Sequence, residues 1–349
     1  MSPFDCCLII AQKESTWNRG RRFKGSISFI CRILIVLQGS HQTFFTMNQK
    51  TLNWEGVYPA VLTPFTETGE IDVEMFAKNT EAQIAAGVHG IILAGTLGEA
   101  SALDTDEKFE LLRSALTVVQ GRIPVILNLA ENTTRSAIRY AERAQEAGAD
   151  GLMLLPPMRY KADDREVLEY FKAVAQASDL PILIYNNPVD YGIYVSLDMF
   201  EELKEFPTIQ AVKESTRDLA NVTRMINRFG KRFKILGGVD TICLETLMLG
   251  ADGLVAGLVD AFPFETMAMY RHVKAGNYSQ ALDIYRWFMP LLELDIHPKL
   301  IQYIKLAATA EGLCNPYVRA PRLELIGEEA DRIHQIIADG RASRPILAD

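Results

Sequence analysis

Residues 85–95 (AAGVHGIILAG), 146–156 (EAGADGLMLLP) and 249–257 (LGADGLVAG) repeat one pattern: the end of an amphipathic helix, a small-residue stop containing Gly, then a short apolar strand. Similar units place strands near 57–63, 90–95, 124–129, 151–155, 181–186, 208–213, 233–237 and 253–257, each followed by a helical stretch. Runs such as Val125-Ile126-Leu127 and Ile182-Leu183-Ile184 are apolar throughout, as expected for parallel strands covered on both faces. A doubly wound sheet is the competing architecture. It usually stops at five or six strands and carries a glycine-rich dinucleotide turn after the first strand, and none follows Val57–Thr63. The pattern therefore predicts an α/β fold, a (β/α)8 TIM barrel at 54–263. Residues 264–349 are then a closing helix and a C-terminal helical appendage.

Length and composition agree with one enzyme-sized body plus additions: 349 residues, 48% hydrophobic and 23% charged. Residues 1–53 differ, with seven Lys/Arg against two Asp/Glu, which leaves 29 against 42 for the remainder. This extension holds Cys6, Cys7, Cys31 and an apolar run, Phe29–Leu37, broken by Arg32 and too short to cross a membrane. A basic, acid-poor start is compatible with a transit peptide. Met47 offers an alternative beginning, with residues 1–46 disordered or an over-extended reading of the gene. Otherwise a cytoplasmic location is expected. The acidic body has no basic stripe, which argues against nucleic acid and anionic membrane as partners. Cys243 and Cys314 stand alone and the five histidines lack metal-ligand spacing, so no zinc site, disulfide framework or cofactor is expected.

Chemistry in such barrels gathers where strands end. Lys213 closes the run Ile209-Gln210-Ala211-Val212 and Tyr185 closes Pro181-Ile182-Leu183-Ile184, one βα unit apart. A lysine leaving a hydrophobic strand loses its proton at less cost, because desolvation disfavours the ammonium form, and the neutral amine attacks carbonyls. The plainer alternative is a strand-end lysine reaching solvent. Gly95-Thr96-Leu97-Gly98-Glu99, after the second strand, offers backbone amides and a hydroxyl to a carboxylate, or simply a turn. Gly237-Gly238-Val239-Asp240 and Val255-Ala256-Gly257 occupy the rim where many barrels bind phosphate, yet they bring aspartates and no cation, which favours a small neutral or carboxylate ligand. Pro156-Pro157-Met158-Arg159-Tyr160-Lys161 adds a phenol and two cations to that rim, or is a solvated loop.

Taken in order, Gly-Thr-Leu-Gly-Glu, the Tyr185-Asn186-x-Pro188 strand end, Lys213 in Val-Lys-Glu-Ser, and Gly237-Gly238 resemble the dihydrodipicolinate synthase/N-acetylneuraminate lyase family of class I aldolases. The resemblance runs from about Gly56 into the C-terminal helices. It implies a Schiff base on Lys213, proton transfer by Tyr185, and Thr96 both relaying protons and binding a 2-oxo acid carboxylate. Gly238 and Val255 line the pocket, with Leu97, Asn187, Asp190 and Tyr160 as further substrate contacts. It also implies a homotetramer and no metal or organic cofactor.

Three positions depart from the synthase pattern: Leu97 stands for a second Thr, Met158 for a Tyr, and Asp190 for an Arg that grips the carboxylate of the aldehyde. Sialic-acid lyases lack the Asn-Asn pair. Gly-Thr-Leu-Gly-Glu, Pro-Pro-Met-Arg-Tyr-Lys and Tyr-Asn-Asn-Pro-Val-x-Tyr-Gly look like the subgroup that deaminates 1-pyrroline-4-hydroxy-2-carboxylate to 2,5-dioxopentanoate, which is the expected activity. The alternatives are dihydrodipicolinate synthase, an aldolase or dehydratase of 2-keto-3-deoxy sugar acids, and a non-catalytic 2-oxo-acid-binding barrel.

Overall fold

The computed structural model describes residues 50–157 and 159–347; the basic extension up to residue 49, and Met158, lie outside the described residues. Eight parallel strands alternate with helices: β1 Gly56–Pro59, β2 Ile91–Leu93, β3 Val125–Leu129, β4 Gly151–Leu154, β5 Ile182–Asn186, β6 Ile209–Glu214, β7 Lys234–Gly237 and β8 Gly253–Ala256. β1 pairs with β8, and an Ala60–Ile92 bridge brings β2 against the other side of the first strand, so the sheet curls into a nearly closed barrel. β1 is shorter than the apolar run 57–63 predicts. Past Pro59 the chain keeps a single bridge and then runs into the rim.

The repeated motif has a structural cause. In 146–156 and 249–257 the residue before the strand glycine is an aspartate, and its carboxylate accepts an amide at the start of the preceding strand: Val125 N donates to Asp150, and Ile235 N to Asp252, each at 2.9 Å. In 85–95 the same place holds His89, whose Nδ1 accepts from Val57 N at 3.2 Å. The glycine that follows is required by closeness: a Cβ on Gly253 would lie 2.0 Å from the Gly56 carbonyl oxygen. These residues thus tie neighbouring strands together at the N-terminal face of the barrel, where conservation of shape rather than chemistry is at stake. Residues 50–53 close that face, with Leu52 N and the Trp54 indole both donating to Gln210.

Outside the strands, α1 Val73–Ala86, α2 Thr105–Val119, α3 Thr134–Glu146 and α4 Asp164–Ala177 begin the helical layer. Asp104 with Glu107, and Asp163 with Glu166, form reciprocal capping boxes that fix where α2 and α4 start, and hence the length of the rim loops before them. The layer continues with the one-turn α5 Pro188–Tyr191, then α6 Leu197–Leu203, α7 Leu219–Phe229, α8 Cys243–Met248 and α9 Pro263–Lys274. Beyond it lie α10 Tyr278–Leu292, α11 Leu300–Ala310 and α12 Gly327–Ala342. None of the described helices is long and apolar enough to cross a membrane.

Candidate active site

The C-terminal ends of the strands surround a cavity of about 670 Å³, counting its open mouth. β5 and β6 pair so that Tyr185 is opposite Lys213, and both side chains enter this space. Lys213 is 7% exposed and its Nζ lies 4.1 Å from the centre of the Tyr185 ring. Burial drives the amine below its ordinary pKa, while Tyr191, Asp295, Asp240 and Asp190 pull the other way. We take the net direction as downward, because the lysine has lost nearly all contact with water. Such an amine gives up its proton at a lower pH than an exposed lysine does.

Gly238 shapes the other side of Lys213. A Cβ there would stand 2.6 Å from two carbons of the lysine stem and 2.2 Å from Ser215 Oγ, so only glycine lets β7 pass this close. Ser215 Oγ donates to the Gly238 carbonyl at 3.0 Å and holds that approach.

The proton-handling groups are wired differently from the expected relay. Burial pushes the Tyr185 phenol up to about 12, and its oxygen accepts from Asn187 Nδ2 at 3.1 Å. Thr96 Oγ1 shares a 2.5 Å hydrogen bond with Tyr191 OH, not with Tyr185. The Tyr185 and Tyr191 rings meet edge to face with centroids 5.5 Å apart, so the two phenols are neighbours without a direct link. Tyr191 arrives because α5 is a single turn, opened by Pro188 at its first position and ended by Gly192 in the left-handed region. Tyr185→Phe keeps the ring under Lys213 and removes the hydroxyl, so turnover should fall by about 10²-fold or more. A near-normal rate would move the proton transfer to Tyr191.

Leu97, Asn187, Asp190, Gly238 and Val255 all line the cavity with Thr96. Tyr160 does not. It stands 54% exposed on the turn after β4, outside the cavity lining, because its hydroxyl lies beside Glu166 and Asp163 at the start of α4. Asp190 faces the cavity while its Oδ2 accepts from Asn187 Nδ2 at 2.7 Å, and its amide donates to Asn187 Oδ1 at 3.2 Å. A carboxylate therefore occupies the place where the family resemblance puts an arginine.

Three charged lining residues, Asp240, Arg217 and Asp295, escaped the sequence reading as site members, as did Tyr191, which reaches the site through its hydrogen bond to Thr96. Asp240 is buried and accepts from the Gly257 and Leu258 amides, the latter at 2.7 Å, and burial raises its carboxyl. Asp295 comes from the single turn between α10 and α11. Burial, reinforced by Asp240, pushes its carboxyl up to about 8, with Lys213 opposing. Lys213 thus faces an excess of acid.

The Thr96 loop is anchored from behind. Glu99, in the left-handed region at φ 55°, is fully buried and pairs with Lys305 of α11 at 2.6 Å. Lys305, also buried, donates to the Tyr317 carbonyl at 2.6 Å and lies 4.4 Å over the Phe65 ring. The glutamate of the Gly-Thr-Leu-Gly-Glu motif is therefore a strut that fixes the loop against the C-terminal helices.

Residues 53–339 match the sequence profile of the dihydrodipicolinate synthetase family. The 4-hydroxy-tetrahydrodipicolinate synthase of Exiguobacterium sibiricum is 35% identical over 286 residues, covering 80% of this chain and 95% of the relative. That of Aquifex aeolicus is 32% identical, covering 81% and 97%. Among solved structures, the Aquifex aeolicus dihydrodipicolinate synthase superposes with a TM-score of 0.79 at 30% identity, covering 82% of this chain and 98% of the other. One from Acinetobacter baumannii, solved in complex with pyruvate, reaches 0.78 at 27% identity, covering 82% and 99%. With a TIM barrel whose strands carry a buried lysine beside a phenol, and with this profile spanning the barrel and the C-terminal helices, the chain belongs to the dihydrodipicolinate synthetase family of Schiff-base lyases.

Proposed function

We propose that Lys213 condenses with the 2-oxo group of pyruvate and that the resulting enamine adds to an aldehyde bearing a carboxylate, the reaction for which the relatives are named. The observation that carries this reading is the buried Lys213 amine held 4.1 Å over the Tyr185 ring at the floor of the cavity. Attack of Nζ on C2 expels water and leaves an iminium, which acidifies C3. Loss of a C3 proton gives the enamine, and C3 then bonds to the aldehyde carbon while Tyr185 supplies the proton for the new hydroxyl. With aspartate semialdehyde the substrate's own amine attacks C2, displaces Lys213 and closes the ring. The test is product analysis by mass spectrometry with pyruvate and aspartate semialdehyde. The reading predicts one cyclic product and fails if pyruvate is not consumed.

Deamination of 1-pyrroline-4-hydroxy-2-carboxylate is the second reading, replaced as the leading one by the synthase names of the relatives. Asp190 in the cavity favours it, since a carboxylate there repels an anionic aldehyde. On this path Lys213 displaces the ring nitrogen from C2 and opens the ring, the iminium acidifies C3, the C4 hydroxyl departs as water, and tautomerisation gives a C5 imine whose hydrolysis releases ammonia. Asp190→Arg separates the two: under the first reading it lowers the KM for aspartate semialdehyde by about tenfold, and under the second it depresses ammonia release. The protein would act in the cytoplasm as a homotetramer, and light scattering behind a sizing column measures the assembly.

A further inference from the structure

The described residues that line the cavity include five ionisable side chains: Asp190, Asp240, Asp295, Lys213 and Arg217. Three are acidic, and Lys213 is consumed in the Schiff base. Among the described lining residues, Arg217 is then the cationic side chain left for an anionic substrate group, and it is on the loop that follows the Schiff-base strand.

That loop is built to present it. Arg217 is exposed and sits at φ 63°, a region that residues with side chains rarely occupy unless the surroundings enforce it. The enforcement is visible on both sides. Thr216 N donates to the buried Glu214 carboxylate at 2.9 Å, and the Asp218 amide donates to Thr216 Oγ1 at 3.2 Å. The adjacent acid, Asp218, does not neutralise Arg217: its carboxylate is taken by Arg224 at 2.5 Å and by the Ala220 amide at 3.1 Å. The guanidinium at the rim is thus left for something that enters the cavity.

We infer that Arg217 is the specificity residue that holds the distal carboxylate of the substrate, taking from the β6 loop the role that Asp190 leaves vacant on the β5 loop. A guanidinium forms two parallel charge-assisted hydrogen bonds with a carboxylate, and its planar fork selects for that group. Asp190, bound to Asn187 on the facing loop, repels the same carboxylate and so directs it toward Arg217. This inference rests on Lys213 being the Schiff-base residue.

The test uses the intact enzyme and reads Schiff-base formation alone. 2-Oxoheptanedioate and 2-oxoheptanoate share the 2-oxo acid head and chain length, and only the first ends in a carboxylate. Borohydride trapping on Lys213 should half-saturate with the dianion at a concentration lower by about ten- to hundredfold, the range of one charge-assisted pair. In Arg217→Gln that difference should vanish, and in Arg217→Lys part of it should return. Equal half-saturation in the wild type, a preference that survives in Arg217→Gln, or a uniform loss with both acids overturns the inference. Failure of the wild type to trap even pyruvate overturns the Lys213 reading instead, which keeps the two failures distinct.

Discussion

Replacing Lys213 by alanine is expected to lower turnover by roughly 10⁴-fold or more, the scale seen when a covalent nucleophile is removed. The reason lies in the site's construction. Lys213 is the one amine among the described residues lining the cavity, and the iminium proposed on it would be the electron sink that this lining offers. In the proposed reaction Tyr185, Asn187 and Thr96 would position or move protons, and none of them would stabilise a carbanion at C3. An added primary amine should restore part of the activity in the alanine variant, since the cavity left by the side chain opens onto the mouth. Retention of more than about one-hundredth of the wild-type rate would mean that the chemistry proceeds without the Schiff base.

The second large effect is on stability. Lys305→Met keeps the length and apolar stem of the side chain but removes the 2.6 Å partner of the buried Glu99, leaving the Arg322 guanidinium at 3.8 Å as the remaining cation beside it. Breaking one half of a buried pair costs about 3–5 kcal/mol, because the remaining charge has lost its hydration and its counter-ion together. Some of that charge is met by the Arg319 amide, which donates to Glu99 at 3.2 Å, so the lower end of the range is expected. Denaturant unfolding measures the loss, and Glu99→Gln in the Lys305→Met background should recover much of it. A single variant within about 1 kcal/mol of the wild type would show that the pair contributes little. The change also loosens the Thr96 loop, so the KM for pyruvate should rise in protein that is still folded.

The barrel was legible in the sequence because its strands are buried on both faces and its repeats mark each return to the N-terminal side. Glycine and aspartate recur at Asp150-Gly151 and Asp252-Gly253 for reasons of strand packing that leave a pattern. Lys213 and Tyr185 were legible because a polar residue at the end of an apolar strand is conspicuous. Contacts between loops leave no such trace. Thr96 meets Tyr191 and not Tyr185 because of the single turn at 188–191, whose direction no periodicity encodes. Tyr160 looked like a rim phenol by position, but its turn faces solvent. Asp295 comes from an irregular turn 82 residues beyond Lys213 in the chain, between two helices that read as an appendage. The aspartate at 240 was visible in its loop, yet only the fold shows it beneath the Gly257 and Leu258 amides.

A neutral amine at position 213 that attacks a 2-oxo acid forms an imine, which borohydride reduces to a stable adduct in the presence of pyruvate. Peptide mass spectrometry should find a single reduced pyruvate adduct on Lys213. The rate of labelling should rise with pH through an amine pKa below that of free lysine, because burial disfavours the ammonium. Adducts scattered over surface lysines, or an unlabelled Lys213 at saturating pyruvate, would contradict the account.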